Sequence, residues 1–327
     1  MSSAAETSST ATDALEAPIV MPPVPTGWKI RLDDPFNRYY RYPIARFLVR
    51  TVFVKTPITP NQISLLTVVF AAAAGWLLTY NDSRALLLAA ALFEIRSILD
   101  CADGTLARAK NLMSPWGHAI DAMADWLGVV FLYGGIFWHF RLYPPAPGPW
   151  NAYISNNGIL LLALFQAATR SFAADYYKTK YVSVFERGND ETVDALRRKL
   201  EALERGRPSI FAHIDVFIGR MGHLCFGHEW FDPQRSTSST TEEHVKQLKR
   251  EEGSGMSRFL GFIWAVSNGD FFLSLVVLTI LADCMWLGQV FFATAGVVSI
   301  FGVIFLNGAF VRGVARRAER GAAEVTS

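Results

Sequence analysis

Long apolar runs separated by short polar turns set the pattern of this chain. Six stretches are mostly apolar and helix-length: 63–80, 85–99, 119–140, 158–174, 259–281 and 285–311. A helix needs about 20 such residues to cross a hydrocarbon core. The second stretch is short if cut at its first aspartate, but its helical pattern runs on through Arg108. Its polar end then sits where the helix leaves the membrane, because polar groups at that depth need water or protein around them. The pattern predicts an all-α integral membrane protein with six transmembrane helices.

The segments between the runs differ in kind. Residues 1–26 are rich in Ser, Thr and Ala, lack a basic start and an apolar run, and read as a disordered tail rather than a cleavable signal. Residues 27–60 mix Arg and Lys with aromatic and branched side chains, as an N-terminal helix lying in the membrane interface does, and end in the turn at Pro57 and Pro60. A plain cytosolic cap is the competing explanation. Transmembrane helices 1–4 then occupy 61–177, a helical cytoplasmic insertion 178–257, helices 5 and 6 residues 258–312, and a basic tail 313–327. Within the insertion, 209–231 is apolar enough to suggest a seventh span. It also holds His213, Asp215, Arg220 and His228, so an interfacial or re-entrant helix is expected.

Charge sets the orientation. Lys29, Arg31, Arg38, Arg41, Arg46, Arg50 and Lys55 precede the first run, and Arg312, Arg316, Arg317 and Arg320 follow the sixth. The loops assigned outside carry only Arg84 and Arg141. Both termini and the site described next are therefore expected in the cytoplasm. The composition agrees with a membrane protein: 51% of residues are hydrophobic, 18% are charged and the net charge is +2. No nucleic-acid partner is expected. Cys101, Cys225 and Cys284 are scattered, which suggests neither a disulfide framework nor a cysteine zinc site. His223, Cys225 and His228 match no standard zinc spacing.

One stretch, DCADGTLARAKNLMSPWGHAIDAMAD at 100–125, breaks the apolar pattern. As a helix it puts Asp100, Asp103, Gly104, Ala107 and Arg108 on one face, where an apolar stripe is usual. After a turn at Pro115, Gly117, Asp121 and Asp125 share a face of the next helix. Two adjacent helices can thus gather four carboxylates. Such charges repel one another and are costly at membrane depth, so a cation is expected among them. Hard divalent ions suit oxygen donors, and a pair of them would clamp a diphosphate. Gly104, Ala107 and Gly117 leave room for a nucleotide, and Arg108 can pair with phosphate.

The arrangement DxxDGxxAR, eight residues, then GxxxDxxxD is complete here and resembles the signature of the CDP-alcohol phosphotransferases. The resemblance implies transfer of a substituted phosphate from a CDP-linked donor to an alcohol acceptor, one of them a lipid, with release of CMP. It implies two divalent cations, Mg²⁺ or Mn²⁺, and a homodimer among membrane lipids. Carried over by residue, Asp100, Asp103 and Asp121 ligate metal; Asp125 is the catalytic base and touches metal as well. Gly104, Ala107, Arg108 and Gly117 line the CDP pocket.

Further candidates surround the motif. TPNQIS resembles a segment common in the family, making Asn61 and Ser64 candidate nucleotide contacts, with helix capping equally open. Arg170 and Lys178 are candidate acceptor contacts, with Lys180 beside them, against snorkelling to lipid headgroups. Relatives with phosphorylated acceptors tend to carry an RxR pair; here Phe172 replaces the second arginine. Glu94 and Arg96 are expected to pair with each other or with a neighbouring helix. Asn268 and Asp270 flank Gly269, where a kink or a cavity contact is expected. Two other classes compete: an intramembrane prenyltransferase, for which DAMAD alone would serve, and a cation-coupled transporter. The first has no use for the DGxxAR half, and the second should show repeat symmetry and charges near mid-membrane, whereas these cluster at one cytoplasmic edge.

Overall fold

A computed structural model of the chain describes residues 21–23, 26–113, 115–205, 210–227 and 238–326. Most of the expected disordered tail, and His228, lie outside these residues. Among the described residues every regular element is helical. The α-helices in chain order, with short 3-10 and π-helical turns among them, are α1 Gly27–Arg31, α2 Tyr42–Thr51, α3 Pro60–Leu77, α4 Ser83–Ala109, α5 Pro115–Leu142, α6 Asn156–Val182, α7 Glu191–Arg205, α8 Ile210–Gly222, α9 Ser238–Arg250, α10 Gly255–Ala265, α11 Gly269–Leu281, α12 Met285–Phe291 and α13 Val297–Thr326.

Three stretches among these, Pro60–Leu77, Met123–Leu142 and Met285–Arg317, are long and apolar enough to cross a membrane. The pair α10 and α11, bent by 44°, makes up to four. Helices α4 and α6 have 27 residues each, but polar and charged side chains such as Glu94, Arg96 and Asp100 in α4 and Arg170, Asp175 and Lys178 in α6 dilute their apolar length. The all-helical class stands, and six spans do not follow from apolar length alone. Helix α8 continues through a π-helical turn, His223–Gly227.

Local chemistry explains the boundaries. Thr59 and Gln62 form a capping box at the start of α3, with Pro60 at the first turn. The prolines of this segment therefore begin the helix as well as ending the preceding turn. Asp82 caps α4 by accepting from the amides of Arg84 and Ala85. At its other end Asn111 is left-handed (φ 53°), and the Leu112 amide returns 2.8 Å to the Ala107 carbonyl. This wrapped end releases the chain into the turn before α5. Asn268 caps α11 by accepting from the Phe271 amide, which explains the break after α10.

The chain forms two compact units, one made of Met1–Val24 and Tyr39–Trp138, the other of Pro25–Arg38 and His139–Ser327. These differ from the segments drawn from hydropathy. In the first unit, Ala45 and Val49 of α2 pack with Ile63 of α3 and with Leu99, Ala102 and Leu106 of α4. Arg41 forks onto Glu94 at 2.7 and 2.8 Å, which fixes the start of α2 to α4. Backbones of α3 and α5 touch: a Cβ on Gly75 would lie 2.4 Å from the Phe131 carbonyl oxygen, and one on Gly135 would lie 2.4 Å from the Gly75 carbonyl oxygen. Such close crossings suit membrane helices, whose association rests on packing rather than on water exclusion.

In the second unit, Trp28 lies 4.6 Å from the Phe185 ring, its amide donates to Glu186 and its indole to Glu252. This anchoring explains why residues 25–38 join this unit. Tyr181 and Trp264 both donate to Asn307 Oδ1 within a core that includes Tyr177, Ile300 and Val314. Leu196 and Leu200 of α7 pack with Val216 of α8. Lys180 reaches Asp190 at 2.5 Å, with both side chains largely buried. Burial alone would raise the Asp190 carboxyl, but the Lys180 charge and hydrogen bond, with help from Thr192, hold it below its ordinary 3.8.

Two predictions follow from this packing. Gly135→Ala is expected to destabilise by about 1–3 kcal/mol, because its methyl meets backbone, whereas Gly134→Ala, which meets nothing within 4 Å, is expected to be neutral; paired thermal melts in detergent check this. A depressed Asp190 stabilises the fold fully above its unfolded value and loses that contribution as pH falls through the lower folded value. Asp190→Asn should cost about 3 kcal/mol near neutral pH and progressively less as pH falls below 3.8, as a series of melts from pH 7 downward would show.

Candidate active site

The carboxylates of the 100–125 stretch come from two helices of the first unit. Asp100 and Asp103 stand on α4, which ends at Ala109, and Asp121 stands on α5. The intervening turn brings the helices together, and one carboxylate oxygen from each of Asp100, Asp103 and Asp121 lies within 4.8 Å of the others. Among the described residues this is the group of three or more His, Cys, Asp or Glu placed to hold a metal ion. Its donors are all hard oxygens, which suit Mg²⁺ or Mn²⁺ better than zinc. Asp100 Oδ1 is buried without a hydrogen-bond partner, and the Arg96 guanidinium stands 3.6 Å from it. The residues therefore fit a divalent ion.

Two neighbours tie these carboxylates down. Ser64, buried on α3, donates to Asp103 Oδ2 at 2.6 Å. Arg96, one turn before Asp100 on α4, reaches Asp125 Oδ1 at 2.5 Å and lies 3.6 Å from Asp100 Oδ1. Asp125 is thus outside the group of three and held by an arginine, although its side chain stays 53% exposed. Four metal-touching aspartates were expected; the structure gathers three.

The expected nucleotide-lining residues lie on the same two helices. Gly104, Ala107 and Gly117 are half-buried and Arg108 is exposed. A Cβ on Gly104 would meet, apart from its own helix backbone, only Arg108 Nη1, at 3.6 Å. Space above α4 is therefore bounded by a cation and little else. Asn61 is exposed in the first turn of α3, and the capping there falls to Thr59. Ser64 sits beneath Asp103, as support for a carboxylate rather than as an open surface group.

Arg170 and Lys178 belong to the second unit. Arg170 is fully buried. Its guanidinium donates to Gln166, to the carbonyls of Ser267 and Gly296 and to Ser299, and it lies 3.7 Å over the Phe272 ring. It braces α6 against the segments around Ser267 and Gly296, a use that differs from the expected acceptor contact. Lys178 pairs with Asp33 at 2.9 Å and is partly exposed. His223 is buried between Tyr176 and the Thr192 carbonyl, and Cys225 is exposed. Glu94 and Arg96 pair with other segments as expected, Glu94 with Arg41 and Arg96 with Asp125 on α5, but their partners, and the contact of Ser64 with Asp103, were not named by the sequence. The i, i+4 spacing of Arg96 and Asp100 was the available signal for Arg96.

Residues 57–184 match the CDP-alcohol phosphatidyltransferase family. The chain is 33% identical over 129 residues to ceramide phosphoethanolamine synthase of Drosophila melanogaster, covering 37% of this chain and 33% of that protein. It is 40% identical over 80 residues to the bifunctional IPC transferase and DIPP synthase of Rubrobacter xylanophilus, covering 24% of this chain and 18% of that protein. The matched region thus spans about a third of the first relative's length and less than a fifth of the second's.

Removing the Ser64 hydroxyl takes from Asp103 its side-chain donor. Ser64→Ala is expected to weaken Mn²⁺ binding by about 10-fold, the usual size of such a loss, with the fold retained; calorimetric titration of purified protein measures it.

Proposed function

Residues 57–184 belong to the CDP-alcohol phosphatidyltransferase family, and from that premise we propose that the chain transfers a substituted phosphate from a CDP-linked donor to an alcohol hydroxyl, releasing CMP. One observation carries the reading: the oxygens of Asp100, Asp103 and Asp121 meet within 4.8 Å across two helices, with Asp125 one turn further along α5. Asp100, Asp103 and Asp121 would hold a divalent ion, which when bound neutralises the diphosphate and the departing CMP.

The remaining roles fall to the chain's own side chains. Arg108, exposed at the end of α4, takes a diphosphate oxygen. Gly104, Ala107 and Gly117 leave the helix surfaces low enough for the nucleotide. Asp125, half-exposed, accepts the proton of the acceptor hydroxyl. The hydroxyl oxygen bonds to the phosphorus that carries the alcohol substituent, the bridging P–O bond breaks, and CMP leaves with the bridging oxygen. This chemistry uses the DGxxAR half of the motif, for which a prenyltransferase has no role.

One substrate is read as a lipid, supported by the apolar helices and by the likeness to a ceramide phosphoethanolamine synthase. The acceptor is read as an alcohol without a phosphate. Support comes from the missing second arginine at Phe172 and from Arg170, whose donors are spent inside the protein. Six spans with cytoplasmic termini remain the proposed topology, supported by the 27-residue lengths of α4 and α6 and by the basic flanks. A homodimer is proposed on the family resemblance alone.

Purified protein with Mg²⁺ or Mn²⁺ is expected to release CMP from CDP-diacylglycerol or from a CDP-alcohol offered with a lipid hydroxyl, and to gain nothing from a phosphorylated acceptor. Asp125→Asn should lower kcat by about 100-fold or more. Activity indifferent to EDTA, or unchanged in Asp125→Asn, would overturn the assignment.

A further inference from the structure

The four motif carboxylates are not equivalent. Asp100, Asp103 and Asp121 converge, whereas Asp125 is gripped by the Arg96 guanidinium at 2.5 Å. The same Nη2 atom lies 3.6 Å from Asp100 Oδ1, and the Asp100 and Asp125 side chains also meet directly, so one buried cation touches both carboxylates of that pair. Only 5% of the Arg96 side chain is exposed. Its room is set by Gly128, one turn beyond Asp125 on α5: a Cβ there would stand 3.0 Å from Nε and Nη2 and 3.1 Å from Cζ. The Phe93 ring lies 5.7 Å from Cζ. A guanidinium confined by a glycine and a ring has little freedom to swing away.

Resting on the phosphotransferase reading, we infer that Arg96 is the resident cation of this cluster and the positioning residue of Asp125, so that the site takes one divalent ion tightly and a second only weakly. Asp100, Asp103 and Asp121 supply a complete tight site. A second ion, seated between Asp100 and Asp125, meets a fixed positive charge that already balances both carboxylates. Like charges in a poorly solvated site repel strongly. Arg96 also fixes one oxygen of Asp125 while the side chain stays accessible, which keeps the carboxylate pointed without closing it off.

The test counts ions instead of turnover. Metal-stripped full-length protein in detergent is titrated with Mn²⁺, free ion is read by EPR, and heats are read by calorimetry. Wild type is expected to bind one Mn²⁺ tightly and a second about 10–100-fold more weakly. Arg96→Gln, and Arg96→Met as a second neutral variant should the first fail to fold, are expected to bring the second ion to comparable affinity. Arg96→Lys, which keeps the charge and loses the fork, should retain the one-ion pattern while kcat falls at unchanged KM for the CDP substrate. Two equivalent ions in wild type, unaltered by loss of the Arg96 charge, overturn the role of Arg96 and leave the proposed function standing. No Mn²⁺ bound by wild type overturns the proposed function itself.

Discussion

Repulsion among carboxylates held on two neighbouring helices is the constraint around which the first unit is organised. Asp100, Asp103 and Asp121 bring carboxylate oxygens within 4.8 Å of one another, Asp103 is buried, and charges so placed repel strongly without compensation. The unit answers in two ways: Ser64 of α3 donates to Asp103, and Arg96 of α4 pairs with Asp100 and with Asp125. The carboxylates themselves come from α4 and α5, so the placement of α3, α4 and α5 is a condition for the site.

That placement comes from small residues. Gly75 and Gly135 allow the backbones of α3 and α5 to meet, and Gly128 opens the space that Arg96 fills. A larger side chain at any of these positions would separate the helices or press on the guanidinium. Arg41 forking onto Glu94 adds a charged clasp between the start of α2 and α4. In the second unit one buried arginine is satisfied without a carboxylate. Arg170 is buried on carbonyls, a glutamine, a serine and an aromatic ring, and Asn307 collects two donors. An arginine satisfied in this way is a brace, with its hydrogen-bonding capacity directed inward.

Much of this was legible in the residues. Helical spacing put Asp100 with Asp103 and Asp121 with Asp125 on shared faces, and the turn signal at Pro115 made two facing helices the natural reading. The break at Asn268 and Gly269 was legible too, because an asparagine before a glycine is a good helix start. Less legible were Ser64, Arg96 and Arg170. Each is a polar residue in an apolar run, and such a residue can face a ligand, a lipid headgroup or another side chain with the same local pattern.

The sequence by itself determined the helical class, the acidic stretch and the chemistry those donors can support, because periodicity and side-chain type are local properties. Tertiary structure alone decided how the carboxylates divide. Which oxygens converge, and which one an arginine takes, depends on helix crossings set by Gly75 and Gly135, which meet although they lie on separate helices far apart in the chain. It also turned Arg170 inward, because the acceptors that hold it, at Ser267, Gly296 and Ser299, arrive from distant segments. Contacts between residues far apart in the chain leave no spacing to read.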